Sequence, residues 1–476
     1  VRGWDARRIA AASGARLVAQ PSRSALAEGP IRAGIDSRRL APEDLFIGLR
    51  GERVDGGRHA VEALAAGAWG VLVAPEHAGA AARAGSGAVL AHDDPLAALQ
   101  ELARAWRREL RAAGARVVAI TGSTGKTSTK DILAALLASQ MRTAASAANL
   151  NTEIGLPLAI LAAPRDSDVL VLEMAMRGLG QIAELTEIAE PDVGVIVNVG
   201  PAHLELLGSL EAVAAAKAEL IAGLAPGTTV VLPDHEPLLA PHLRPDVRVV
   251  TFGPDGDVSL VERHPDGRTR IRHGDEEIEL WPSFGQRHNL RNLLAAVAVA
   301  RALGMTPAGR LQVRFSAMRG ERIALPGGVI VIDDCYNANP MSMRAAIDDL
   351  LETAPARRVA LLGDMLELGP DAPRLHRELG EYAAGRGVEL LVSAGPLAAD
   401  IAAGFSGDAH AAPDAATAAG LLAGLLHERD TVLVKGSRGV GLERAVAVLR
   451  AAGRERPGEH AGDGTALAPA AGPGRR

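Results

Sequence analysis

Short apolar runs separated by longer stretches of helical periodicity set the rhythm of this chain. LFIGLRG (45–51) and WGVLVAPE (69–76) read as strands, and PLAALQELARAWRRELRAAG (95–114) repeats apolar residues at helical spacing. RVVAIT (116–121), DVLVLEM (168–174), DVGVIVNVG (192–200), TVVLP (229–233) and VRVVTFG (247–253) are β-branched runs divided by helix-like segments. That alternation predicts a mostly parallel sheet with crossover helices. The polar stretch 254–280 predicts a hairpin-rich excursion from it. A second α/β rhythm follows in GVIVIDD (328–334), RRVALLGD (357–364), VELLVSAG (388–395) and TVLVKGS (431–437). It is Rossmann-like but lacks the dinucleotide GxGxxG fingerprint. The predicted fold class is therefore α/β. The pattern divides into blocks 1–112, 113–315 and 316–452, the first read as short strands with one Ala-rich helix. An Ala/Gly/Pro-rich tail, 453–476, is expected to be disordered.

Composition narrows the function classes. Aromatics are 2% of residues, so stacking platforms for single-stranded nucleic acid are not expected. A net charge of −6 argues against a polyanion-binding surface. One cysteine, Cys335, excludes a disulfide framework and a Cys-based zinc site. No apolar run reaches membrane-spanning length and the first residues do not resemble a signal peptide, so a cytoplasmic setting is expected.

Among 51 basic residues only Lys126, Lys130, Lys217 and Lys435 are lysine. Arginine is a fixed planar fork, whereas lysine is a compact charge able to lose its proton and react, so these positions mark chemistry that arginine does not serve. Lys126 lies in Gly122-Ser123-Thr124-Gly125-Lys126-Thr127-Ser128, between a strand and a helix. Such a loop turns backbone N–H groups toward phosphate oxygens at a helix N-terminus; Lys126 would reach the β/γ-phosphates and Thr127 would ligate Mg²⁺. The general phosphate-loop pattern has a further Gly where this chain has Ile120, so an ordinary glycine-rich turn is the competing reading. Lys130, one turn on, reads as a solvated helix residue.

Glu173 ends a strand, at the sheet edge where ligands of open α/β sheets bind, and offers a hard oxygen to Mg²⁺; alone, it reads equally as a cap or surface charge. His203 follows the next strand, and a lone loop histidine is usually structural. Lys217, in an Ala-rich helix, reads on its own as a surface charge. DDCYNANP (333–340) ends a strand in two acids and crowds Asn and Tyr into one loop, suiting a polar ligand or, equally, an Asx-rich helix cap. KGSRG (435–439) places Lys435, Ser437 and Arg438 where they would capture a carboxylate.

Together these motifs resemble the Mur ligase family over almost the whole chain, from DSRRLAPEDLFIGLRGERVDG (36–56) to KGSR (435–438). TGSTGKTS is similar to that family's own phosphate loop, and NLNTEIGLP (149–157), Glu173, the HLE at His203, the AKAEL at Lys217, QRHNLRNLLAA and DDCYNANP stand in family order. The resemblance implies a small α/β uridine-nucleotide-binding domain, a central P-loop ATPase domain and a C-terminal Rossmann-like domain. It implies an ATP-dependent amide-bond ligase that joins D-alanyl-D-alanine to UDP-N-acetylmuramoyl-tripeptide through an acyl phosphate, in peptidoglycan precursor synthesis. Ser37 and Arg38 are implied at the UDP end, and Asn151 and Thr152 nearer the muramoyl peptide. Thr127, Glu173 and His203 are implied around Mg²⁺, with Lys217 as an N6-carboxylysine ligating a second Mg²⁺. Asn289 is similar to the adenine contact, Asp334 to the ribose contact and Arg319 to the arginine approaching the phosphates. Asn337, Asn339, Lys435, Ser437 and Arg438 are implied around the dipeptide. The expected protein acts as a monomer on small molecules, without nucleic acid. Two residues depart from the family pattern. Met318 replaces a usual Gly, leaving Arg319 and Arg322 as alternatives at ATP, and Cys335 replaces a usual Ser. The other readings are a sister ligase, such as an amino-acid-adding enzyme or a folylpolyglutamate synthase, and a non-catalytic nucleotide-binding partner.

Overall fold

The computed structural model describes residues 1–20, 28–85, 87–147 and 149–455, with side chains described to residue 451. Among them lie three sheets of five, ten and six strands. The described residues pack as two compact units: Val1–Ala317 with Glu367–Asp371, and Met318–Leu366 with those from Ala372 to 455.

The first unit holds two of the sheets. In the smaller, Ala33–Gly34, Leu45–Ile47, Gly70–Val73 and Ala88–Ala91 run parallel, and Arg16–Ala19 closes the far edge antiparallel. More helix accompanies it than the sequence pattern predicts: Ala6–Ser13, Ala60–Ala65 and Pro75–Ala84 join the long one. These segments are Ala-rich and only six to ten residues long, so periodicity alone does not separate them from loops. The long helix begins where expected. Asp94 accepts the N–H groups of Leu96 and Ala97, Pro95 occupies the first turn, and the helix runs to Ala112.

In the ten-stranded sheet the parallel core runs in spatial order Thr143–Ala145, Val169–Glu173, Arg116–Thr121, Val193–Ile196, Thr229–Pro233, Arg248–Phe252. Val118, Ile120, Val171 and Val195 are fully buried within it, as near-continuous β-branched runs require. The polar excursion forms the antiparallel strands Val258–Arg263, Thr269–His273 and Glu276–Pro282.

Blocks 1–112 and 113–315 share one hydrophobic core rather than meeting at a polar seam. Leu99, Leu102 and Trp106 pack with Leu156, Leu161 and Leu185. Trp106 meets Trp4 edge-to-face at 5.4 Å and donates to Ala163 O (3.2 Å). Arg107, fully buried on the same helix, donates to Ala189 O (2.9 Å) and Glu190 O (3.0 Å) and pairs with Asp192 (2.7 Å). Arg107→Met strands the Asp192 carboxylate beside these carbonyls. A loss of about 3 kcal/mol in urea unfolding is expected.

The second unit carries a six-stranded sheet. Ile330–Asp334, Thr431–Lys435, Arg358–Gly363, Leu390–Ala394 and Asp408–Ala412 lie parallel, and Glu321–Ala324 is antiparallel at the edge. Its last helix, Glu443–Glu455, continues past residue 453, where composition predicted the tail to begin; 456–476 lie outside the described residues. No helix among the described residues is long and apolar enough to cross a membrane.

Candidate active site

The glycine-rich loop leaves strand Arg116–Thr121 and enters helix Lys126–Leu137. Gly125 caps that helix at φ 78°, and a Cβ there would lie 2.9 Å from Asn292 Oδ1. Left-handed geometry and close approach both demand glycine. A neighbouring strand end latches the loop. Asn198 Oδ1 accepts the N–H groups of Ser123 (3.1 Å) and Thr124 (3.0 Å), while its Nδ2 donates to Thr124 O (3.0 Å). The Ser123 hydroxyl donates to Gly200 O and accepts from Gly200 N, both at 2.9 Å. Lys126 Nζ reaches back to Gly122 O at 2.8 Å, and Ser128 is half-buried one turn into the helix.

Thr127 Oγ1 donates to Glu173 Oε2, and Asn151 Nδ2 donates to Glu173 Oε1, each at 2.9 Å. The structure thus joins three predicted residues around one buried carboxylate, and the surface-charge reading of Glu173 does not hold. A hydroxyl and a carboxylate are oxygen donors suited to a hard divalent cation. Thr152, exposed nearby, accepts the Gly155 N–H at the start of the next helix (3.4 Å).

His203 sits in the left-handed region, φ 58°, and its Nδ1 lies 2.5 Å from Glu367 Oε2. This bond holds the Glu367 carboxyl below its usual range. Lys217 is 1% exposed, so its surface reading fails too. Among the described residues it forms no ion pair. Burial, and then the charge of Lys126, push its ammonium well below the ordinary lysine range. Asn289, buried, accepts from Asn292 Nδ2 at 3.3 Å, so the asparagine that packs on Gly125 also holds the candidate adenine contact.

In the second unit, Asp334 pairs with Lys435 at 2.7 Å, and Lys435 Nζ also donates to Asn337 O at 2.8 Å. Lys435, 3% exposed, braces the DDCYNANP loop. Asn339 caps helix Pro340–Thr353 in a capping box with Ser342, which matches the Asx-cap alternative. Ser437 Oγ accepts Leu366 N–H (3.0 Å) and donates to Ala338 O (3.5 Å). Arg438 contacts Met318 Sδ at 3.0 Å. Met318 adopts φ 59°, a conformation glycine takes without strain. Arg319 stacks on Tyr336 at 4.1 Å, while Arg322 is committed to Asp349 (3.0 Å) and Thr353 (2.7 Å). Buried Cys335 donates to Val434 O (3.4 Å), and burial raises its thiol pKa far above the usual range. Ser37 and Arg38 form a local turn capped by Asp36, with Arg38 paired to that carboxylate at 2.9 Å.

Three family models match in chain order: the Mur ligase family catalytic domain over 32–107, the Mur ligase middle domain over 120–300, and the Mur ligase glutamate ligase domain over 318–438. The UDP-N-acetylmuramoyl-tripeptide–D-alanyl-D-alanine ligase of Bacillus subtilis is 37% identical over 383 residues, 78% of this chain and 81% of its own. The chain belongs to the Mur ligase family. Solved Mur ligase structures agree. MurF from Acinetobacter baumannii superposes with a TM-score of 0.82 at 27% identity, covering 94% of this chain and 99% of its own. MurF from Thermotoga maritima, in complex with ADP, gives 0.76 at 30% identity over 90% of this chain and 98% of its own.

In this Mur ligase the sequence reading missed three residues. Asn198 follows the strand Val193–Ile196 by two residues, beside the loop it latches, and an Asn at that sheet edge is the signal that could have found it. Lys130 is not solvated; it is 3% exposed. His376, fully buried, donates through Nδ1 to Ala372 O (2.6 Å) and accepts Met365 N–H at Nε2 (2.9 Å). Burial lowers its pKa, in keeping with a neutral bridging ring.

Proposed function

We propose that this Mur ligase uses ATP to join D-alanyl-D-alanine to UDP-N-acetylmuramoyl-tripeptide. The observation that carries the reading is the relatives themselves. Proteins of that name, spanning most of the chain, are 37% identical in Bacillus subtilis and 38% identical in Mycobacterium tuberculosis. The sister-ligase and non-catalytic alternatives are not favoured.

A carboxylate resists attack by an amine until its oxygen becomes a leaving group. The tripeptide's terminal carboxylate attacks the γ-phosphorus, the bond to the bridging oxygen breaks, and ADP and an acyl phosphate result. The amine of the dipeptide then attacks the acyl carbon, the C–O bond to phosphate breaks, and the amide forms with loss of a proton and release of phosphate. The work left to the protein is positioning and charge neutralisation.

Lys126 and the N–H groups of the loop would hold the phosphates. Arg319 would approach the phosphates, with Arg322, bonded to Asp349 and Thr353, as the alternative. Thr127, Glu173 and His203 would hold Mg²⁺, which when bound neutralises phosphate charge. Lys217 fits carboxylation: a buried amine with a depressed pKa and, among the described residues, no ion pair is nucleophilic toward CO₂, and the product would supply carboxylate oxygens to a second Mg²⁺. Asn289 and Asp334 would bind adenine and ribose, Ser37 and Arg38 the uridine nucleotide, and Asn151 and Thr152 the peptide. Asn337, Ser437 and Arg438 would meet the dipeptide, with Lys435 and Asn339 shaping their loops.

Phosphate release from ATP with UDP-N-acetylmuramoyl-tripeptide should depend on D-alanyl-D-alanine. Other amines, including glutamate and diaminopimelate, should leave it at background. Equal release with another amine would favour a sister ligase instead.

A further inference from the structure

The proposed chemistry uses three of the four lysines and leaves Lys130 without a task. Its side chain is 4% exposed, and its ammonium meets Ser146 O at 2.9 Å and Asp131 Oδ1 at 3.0 Å. Ser146 is buried against the end of strand Val169–Glu173. Its N–H donates to Val171 O at 3.0 Å, and its hydroxyl accepts the N–H of Glu173 at 3.3 Å. Thr127, three residues before Lys130 on the same helix, bonds the Glu173 carboxylate directly. The phosphate-loop helix therefore reaches Glu173 twice, once at the carboxylate through Thr127 and once at the backbone through Lys130 and Ser146. The other Asp131 oxygen accepts the N–H of Ser316 at 2.8 Å, so the ion pair is tied down on both sides. A compact ammonium satisfies a carbonyl and a carboxylate in so small a space; a planar guanidinium needs a wider one. That difference gives a reason for lysine here in a chain whose cations are otherwise nearly all arginine.

We propose that Lys130 is a positioning residue for the metal carboxylate: by holding Ser146 it fixes the backbone of Glu173, so that Glu173 and Thr127 present their oxygens to Mg²⁺ together. The inference rests on the reading of Glu173 and Thr127 as Mg²⁺ ligands.

The test is ADP binding to the full chain by calorimetry, with Mg²⁺ and with EDTA. Lys130→Met should bind ADP in EDTA within about twofold of the parent, while the tightening produced by Mg²⁺ falls at least about tenfold. Lys130→Met with Asp131→Asn no longer strands a buried carboxylate, so it keeps the measurement possible if the single variant folds poorly; it should show the same loss. Full Mg²⁺ tightening in both variants would overturn the proposal, as would an equal loss of ADP affinity with and without the metal. Glu173→Gln separates the two readings. If it keeps the Mg²⁺ effect, the metal assignment of Glu173 fails and the proposal falls with it. If it loses the effect while the Lys130 variants keep it, the role of Lys130 alone fails.

Discussion

Lys126→Ala should abolish amine-dependent phosphate release, with a loss of at least about 10³-fold in turnover. Charge accumulates on the γ-phosphoryl oxygens as the tripeptide carboxylate approaches, and in a site shielded from water a missing point charge is not replaced by solvent. The loop itself should survive the change. Asn198 and Gly200 latch it through Ser123 and Thr124, and none of those bonds involves the Lys126 side chain. Thermal unfolding should therefore stay close to the parent while turnover collapses. Near-normal turnover in the phosphate assay would remove the phosphate-loop assignment.

Lys217→Ala should cost ligation almost as heavily, and its recovery is the sharper test. If a carboxylated lysine supplies the missing oxygens, acetate or propionate can enter the space the truncated side chain leaves and restore part of the activity. Without such rescue the carboxylation reading loses its support. The pH dependence has a fixed sign. Only the neutral amine reacts with CO₂, and burial together with Lys126 lowers the Lys217 pKa, so the neutral form is present at pH values where an ordinary lysine is charged. Acidification through that lowered pKa returns the proton, and activity without added bicarbonate should fall with it. Mass measurement of the intact protein in bicarbonate reads the same adduct directly.

The two experiments also bear on each other. Removing the Lys126 charge takes away one cause of the lowered Lys217 pKa, yet the larger cause, burial, remains. Lys126→Ala should therefore still take up CO₂ while failing to ligate. An adduct without turnover would separate phosphate binding from lysine carboxylation.

Legibility followed sequence distance. The strand Arg116–Thr121, the loop and helix Lys126–Leu137 are contiguous, and local pattern revealed all three. The capping role of Asn339 was likewise readable, since Asn, Pro and Ser stand within four positions. The rank of the lysines was not. Lys130 and Lys217 both looked like surface charges on polar or Ala-rich helices, because a helix shows which residues share a face but not whether that face is covered. Ser146 and the strand ending at Glu173 cover Lys130, and Lys217 lies on the buried face of its helix with Val213, Ala214 and Leu220.

By itself the chain determined its alternation of strand and helix, the phosphate loop and the identity of the few lysines, because those depend on neighbours along the backbone. Tertiary structure alone decided that Thr127 and Asn151 meet on Glu173, that Asn198 latches a loop 74 residues before it, and that Lys217 is buried without an ion pair among the described residues. Parallel strands joined by long crossovers bring residues far apart in sequence to one sheet edge, and burial there, not residue type, sets whether a charge is solvated, paired or reactive.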